Sequence, residues 1–169
     1  MPADKVNVRV FLGADHAGFK LKENIRQWLK ERGVEFVDLG VYSAEPVDYP
    51  AYAERVAREV GNAGEGKALG VLACGTGIGM GMAANKVRGV RAAVCHDEFT
   101  AEMARAHNNA NLLCLGARVL QTGGEALKIV ERFLETGFSA EERHGRRVKM
   151  IYGLETRKPK QAAKKRAKK

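Results

Sequence analysis

The chain has 169 residues, of which 45% are hydrophobic and 29% charged, enough for one ordinary domain with its own core and too few for a second. Its opening, MPADKVNVRV, lacks the features of a secretory signal, and no apolar run reaches the roughly 20 residues of a membrane helix, so a soluble cytoplasmic protein is expected. Eight positive charges sit in Arg157, Lys158, Lys160, Lys164, Lys165, Arg166, Lys168 and Lys169, and removing them from the net charge of +9 leaves +1, which gives no support for a nucleic-acid footprint across the body.

Val6, Val8 and Val10 alternate into Phe11 and Leu12 and predict a strand ending at Gly13. Leu21, Ile25, Trp28 and Leu29 follow at helical spacing, with Gly33 to stop the helix. Val34 to Leu39 predicts a second strand. After a polar loop, Pro50 can open a helix that turns Tyr52, Ala53, Val56, Ala57 and Val60 inward. Ala68 to Ala73 is almost wholly apolar, as in a parallel strand covered on both faces. A glycine-rich turn leads into a helix through Asn85, a strand at Val90 to Val94, and a helix from about Asp97 to Ala106. Leu112 to Leu115 predicts a fifth strand, Glu125 to Leu134 a helix, and Glu141 to Tyr152 another. Strands regularly separated by helices imply a Rossmann-like α/β fold: a doubly wound parallel sheet of about five strands with helices on both faces. Residues 1–156 form the predicted domain. Residues 157–169, RKPKQAAKKRAKK, have no bulky apolar anchor and repel one another, so they are expected to be a disordered basic tail, either merely solvated or in weak contact with polyanions.

Cys74, Cys95 and Cys114 belong to no CxxC pair, and His16, His96, His107 and His144 show no ligand spacing, so neither disulfides nor a metal site is expected. In an open parallel sheet ligands gather beyond the carboxyl ends of the strands. Asp15 and His16 follow the first strand and Cys74 the third. Asn108, Asn109 and Asn111 precede the fifth strand, and Arg118 lies just beyond it. The most informative segment is Cys74-Gly75-Thr76-Gly77-Ile78-Gly79-Met80-Gly81. Its glycines let the backbone turn tightly and aim several N–H groups at one anion, although they can also serve close packing alone. The loop lacks the Gly-Lys-Ser/Thr ending of a nucleotide-triphosphate loop. One register, Gly79-Met80-Gly81-Met82-Ala83-Ala84, fits G-x-G-x-x-A, but it begins five residues after Cys74, late for a dinucleotide turn.

GADHAG at 13–18, DYP at 48–50, CGTGIG at 74–79, ANK at 84–86, HNNAN at 107–111, GAR at 116–118 and Arg143-His144 with Arg147 occur in this order. Together they resemble the family of ribose-5-phosphate isomerase B and the galactose-6-phosphate isomerase subunits, from about Val8 to about Tyr152. The resemblance implies an aldose–ketose isomerase that opens a furanose ring, removes a proton from C2, holds an enediolate and returns a proton to C1, with no cofactor or metal. Cys74 matches the family's base, and loop N–H dipoles favour a thiolate there; an ordinary buried cysteine is the plainer reading, and Cys95 and Cys114 are expected in the core. Thr76 corresponds to the hydroxyl beside the base, able to relay a proton or simply to satisfy the turn. Gly75 and Gly79 match the backbone donors for the enediolate oxygen.

His107 corresponds to the ring-opening histidine, with a helix-end role as its alternative. Asn108 resembles a residue that fixes substrate hydroxyls, whereas Asn109 and Asn111 can be turn formers. Asp15 would bind sugar hydroxyls, and Tyr49 either contacts the sugar or packs. His16, Arg118, Arg143 and Arg147 are implied as the phosphate site; Arg143 and Arg147, four residues apart, share one helical face. The family's pocket is shared between subunits, so a homodimer or homotetramer is expected. The resulting expectation is interconversion of D-ribose 5-phosphate and D-ribulose 5-phosphate. Its rivals are an isomerase of a six-carbon sugar phosphate, such as galactose 6-phosphate or allose 6-phosphate, a noncatalytic phosphate- or polyanion-binding module, and a dinucleotide oxidoreductase.

Overall fold

The structure is a computed structural model that describes residues 8–120, 123–139 and 141–156. Among the described residues, five strands, β1 (Arg9–Ala14), β2 (Phe36–Asp38), β3 (Ala68–Cys74), β4 (Ala92–Val94) and β5 (Leu112–Gly116), form one sheet in the order β2-β1-β3-β5-β4. Every pairing is parallel. Between and after them run six helices, α1 (Phe19–Glu31), α2 (Tyr49–Ala63), α3 (Ile78–Ala84), α4 (Glu98–Asn108), α5 (Gly123–Glu135) and α6 (Glu142–Glu155).

The two-residue period of the strands divides the core. Val10, Leu12, Leu69, Val71, Leu113 and Leu115 pack with Leu21, Ile25 and Leu29 of α1, Ala101 of α4, and Ile129 and Phe133 of α5. The alternate residues Phe11, Leu72, Cys74, Leu112 and Cys114 pack with Ala53, Val56, Ala57 and Val60 of α2 and Met80 of α3. Helices therefore cover both faces, and every residue of β3 and β5 is buried.

Several predicted elements shorten in the structure for local reasons. Val6 lies outside the described residues, while β1 runs one residue past Gly13, to Ala14. Val34 belongs to the turn after α1, its N–H donating to the Leu29 carbonyl at 3.1 Å. Val90 is likewise in a turn, donating to the Val87 carbonyl at 3.3 Å, so β4 begins only at Ala92. This edge strand is covered at its start by Asn85, whose side-chain amide exchanges two 2.9 Å hydrogen bonds with the Ala92 backbone. Trp28 and Tyr52 are half-buried. At α4, Asp97 caps the helix by accepting the Thr100 N–H at 2.6 Å within a capping box.

Strand order also fixes where a ligand can enter. From β1 the chain winds outward to β2, and from β3 it winds the other way to β4 and β5, so the reversal falls between β1 and β3. The crevice beyond the carboxyl ends of those two strands is the topological switch point.

Candidate active site

At the switch point β3 ends in Cys74, which is 5% exposed. Its Sγ accepts the backbone N–H of Gly77 at 3.1 Å. Gly77 has φ +79°, a left-handed conformation that turns the chain back over the sulfur and starts α3. The sulfur thus meets a backbone donor at the start of α3. Thr76 is exposed beside it, its hydroxyl oxygen 3.4 Å from the Ile78 nitrogen, a contact too long to hold the side chain firmly.

The loop after β1 is pressed against the end of β3. The Asp15 N–H donates to the Ala73 carbonyl at 3.2 Å, and Asp15, 6% exposed, accepts the Gly18 N–H at 2.9 Å. His16 is half-buried, and its Nδ1 accepts the Val47 N–H at 3.2 Å. In the neutral ring this puts the proton on Nε2, as a donor. From the N-terminus of α2, the Tyr49 ring lies over Gly79, where a Cβ would stand 2.8 Å from its Cζ. Beyond β5, Arg118 donates its N–H to the Gly75 carbonyl at 3.0 Å, and its guanidinium covers Gly75, with Nη1 3.3 Å from the position of a Cβ there. Asp15, His16, Tyr49, Cys74, Gly75, Thr76, Gly79 and Arg118 thus gather at the switch point.

The other predicted residues lie elsewhere. Asn108, Asn109 and Asn111 precede β5 and so fall at the amino ends of the strands, not at the carboxyl ends where ligands were expected to gather. Asn111 accepts the Gly70 N–H at the start of the β3–β5 pairing, which runs four residues further to Cys74 opposite Gly116. At ~3.3 Å per residue, the two ends of that pairing are about 13 Å apart. His107 and Asn108 end α4 on the side of the sheet away from Cys74. There the His107 ring lies 4.2 Å from the ring of His144, centroid to centroid. Arg143 and Arg147 are exposed on α6, with the Arg143 Nε donating to Glu141 at 2.9 Å. The predicted site residues of one chain therefore fall into two groups at opposite ends of its sheet.

Asn109 and Asn111 are the turn formers that their composition allows. Asn109, at φ 47°, caps α4 and donates from its side chain to Glu65 at 2.8 Å. Asn111 accepts the Arg91 N–H and donates to the Gly89 carbonyl, both at 2.8 Å. Sequence reasoning gave no role to Arg91 and Arg105, which hold this turn. Arg91, 7% exposed, donates from Nε to the Asn109 carbonyl at 2.8 Å and contacts the Tyr152 hydroxyl. Arg105 donates to the Ala110 carbonyl at 2.6 Å. Nor did it give a role to the buried His144, although a histidine four residues before Val148 on one helix is a sign of a packed face.

Cys95 and Cys114 lie in the core. Burial pushes the Cys95 thiol up to about 11 and Cys114 higher still, so both remain uncharged thiols. Among the described residues no three His, Cys, Asp or Glu side chains are grouped to hold a metal ion, and no helix is long and apolar enough to cross a membrane. The predicted basic tail lies outside the described residues.

A parallel α/β sheet with a thiol and a glycine loop at its switch point defines a class of protein, and comparison with known proteins identifies the family. The chain belongs to the Ribose/Galactose Isomerase family, whose model matches residues 10–151. It is 44% identical over 151 residues to the ribose-5-phosphate isomerase B of Escherichia coli strain K12, covering 89% of this chain and 98% of that protein. Among solved structures, the ribose-5-phosphate isomerase B of Mycoplasma genitalium with bound ribulose-5-phosphate aligns with a TM-score of 0.84 at 44% identity, covering 89% of this chain and 98% of that one. The type B enzyme of Trypanosoma cruzi aligns with a TM-score of 0.81 at 48% identity, covering 87% and 97%.

Proposed function

We propose that this protein interconverts D-ribose 5-phosphate and D-ribulose 5-phosphate, with Cys74 as the base, in a homo-oligomer whose sites are each shared by two copies. The observation that carries the reading is the Cys74 sulfur at the switch point, accepting the Gly77 N–H at 3.1 Å. Relatives that are 44% identical and named ribose-5-phosphate isomerase B support the choice of substrate.

In the open-chain aldose, the Cys74 thiolate takes the proton from C2, and the C2–H electron pair forms the C1–C2 double bond while the carbonyl π pair moves to O1. Gly75 and Gly79 offer backbone N–H groups to the resulting enediolate, worth about 3 kcal/mol for each donor already aimed at the developing charge. Thr76 shuttles a proton between O2 and O1, and the Cys74 thiol delivers its proton to C1, which completes the ketose with no net gain or loss of electrons. Asp15, Tyr49 and Asn108 hold the sugar. His107 opens the furanose by protonating the ring oxygen and accepting the proton of the anomeric hydroxyl. His16, Arg118, Arg143 and Arg147 bind the phosphate dianion.

The separation of the two groups supports the shared arrangement. Cys74, Asp15, His16 and Arg118 of one copy need His107, Asn108, Arg143 and Arg147 from another, and a two-fold interface supplies two such unions at once.

The test is ketose formation from ribose 5-phosphate by the purified protein, beside allose 6-phosphate and galactose 6-phosphate. Turnover of the pentose exceeding that of both hexoses, with loss of about 10² to 10⁴ or more in Cys74→Ala, is the expected result. Preference for a hexose phosphate would reassign the substrate, and no turnover of any sugar would remove the catalytic reading.

A further inference from the structure

Helix α6 is 14 residues long and buries just two of them, His144 and Val148. Its far end is held by Tyr152 against Arg91 and by Glu155, which accepts the Gly89 N–H; its first half is held through these two side chains. His144 is 3% exposed and lies against the His107 ring of α4 at a centroid separation of 4.2 Å and an interplanar angle of 38°. Its Nδ1 is 2.8 Å from the Ser139 hydroxyl oxygen. The Ser139 backbone N–H in turn donates to the Ala106 carbonyl in the last turn of α4 at 3.1 Å. The His144 ring is thus fixed twice to the same turn of α4, directly by stacking and indirectly through Ser139. Arg143 and Arg147 stand one residue before and three residues after it, exposed on the same helix.

We infer that His144 is a positioning residue: its buried ring is the plate that orients His107, and it fixes Arg143 and Arg147 at a set distance from that histidine. This inference rests on the proposed roles of His107 as ring opener and of the two arginines as phosphate ligands. A substrate held by its phosphate is then presented to His107 at a constant angle, because both are referred to one buried ring. A misplacement of about 1 Å can cost on the order of a hundredfold in rate.

The surroundings also decide the charge of the plate. Its neighbours are His107 on α4, Glu141, Arg143 and Arg147 around it on α6, and the neutral Ser139 hydroxyl. Burial, followed by the His107 imidazole, holds His144 below the ordinary histidine value against the opposing pull of Glu141. An uncharged ring in that position places no positive charge beside His107.

The test is a mutant cycle on the full-length protein with ribose 5-phosphate as probe. His144→Ala lowers kcat/KM about a hundredfold, and His144→Phe, which keeps a flat ring but no ring nitrogen, recovers most of that loss. Combining His144→Ala with His107→Asn costs little beyond His107→Asn alone, because the two act as one unit. Additive losses, or full turnover by His144→Ala, overturn the inference. Should the alanine variant not fold, the phenylalanine variant and a histidine NMR titration of the wild type decide: His144 stays neutral through the ordinary range near 6.5, and protonation there or higher contradicts the uncharged plate. If the wild type itself does not turn over ribose 5-phosphate, the proposed function fails, while the titration still tests the geometry of the pair.

Discussion

Replacing Gly18 by alanine tests whether the proposed active site depends on the close approach of the β1–α1 loop to the end of β3. Gly18 has φ −91° and ψ −6°, a backbone that alanine adopts freely, so the effect is purely steric. The added Cβ would stand 2.1 Å from the Ala73 carbonyl oxygen, 2.3 Å from its carbon and 2.8 Å from the Cys74 nitrogen. All three are backbone atoms of the central strand and cannot rotate away. Relief requires the first turn of α1 to move by about 1 Å or more, and overpacking of this kind costs typically about 1 to 3 kcal/mol, or more in a rigid setting. The same movement stretches the 2.9 Å bond from the Gly18 N–H to Asp15 and the 3.2 Å bond from the Asp15 N–H to Ala73. It displaces Asp15 and His16 relative to Cys74, for which a loss on the order of a hundredfold in kcat/KM is expected. The assay pairs thermal unfolding by circular dichroism with ketose formation from ribose 5-phosphate. Gly153→Ala is the control: it lies in α6 with nothing within 4 Å of the new Cβ, and there alanine stabilises by about 0.5 to 1 kcal/mol. A Gly18→Ala protein with wild-type melting temperature and turnover would refute the reasoning.

Three further substitutions and one truncation probe the proposed site and the tail. His107→Asn impairs isomerisation of the furanose more than that of an open-chain aldose phosphate, which needs no ring opening; equal losses in steady-state kinetics on the two substrates assign the residue another role. Arg143→Ala and Arg147→Ala chiefly weaken phosphate recognition, seen as raised KM and weaker inhibition by inorganic phosphate, and unchanged values in both remove them from the site. Truncation after Thr156 preserves turnover and oligomeric state while reducing salt-sensitive binding to polyanions, checked by the isomerase assay, sizing and binding at two salt concentrations.

The fold was legible because parallel strands buried on both faces are written as short apolar runs, as in Ala68 to Ala73, and the helices between them carry stripes such as Leu21, Ile25 and Leu29. Strand order was not. The reversal between β1 and β3 depends on which helix packs on which face, a choice that periodicity along one segment does not contain. The switch-point group follows from position, since Asp15 and His16 come just after β1 and Cys74 ends β3.

The second group was legible as a set of motifs, but Asn108 was misjudged in place. His107 and Asn108 precede a strand and so lie at its amino end, away from Cys74. The buried ion pair of Lys22, 1% exposed, with Asp38 at 2.5 Å was also hidden. A lysine beside an apolar helical stripe looks solvent-facing until the sheet brings a carboxylate to it. Asp38 in turn accepts the Gly40 N–H at 2.9 Å, and the Gly40 carbonyl accepts the Ala14 N–H at 2.8 Å just before Asp15. This support for the site is assembled from residues far apart in the chain.

The central claim, that Cys74 of one copy works with His107 of another, is tested most directly by mixing two defective proteins. Cys74→Ala and His107→Asn are unfolded together in equal amounts, refolded, and assayed on ribose 5-phosphate, with mixed dimers counted by mass spectrometry. Random pairing makes half of the dimers mixed, and each mixed dimer holds one site with both residues intact, so about a quarter of wild-type turnover returns. Abundant mixed dimers with no more activity than the separate parents would contradict the account.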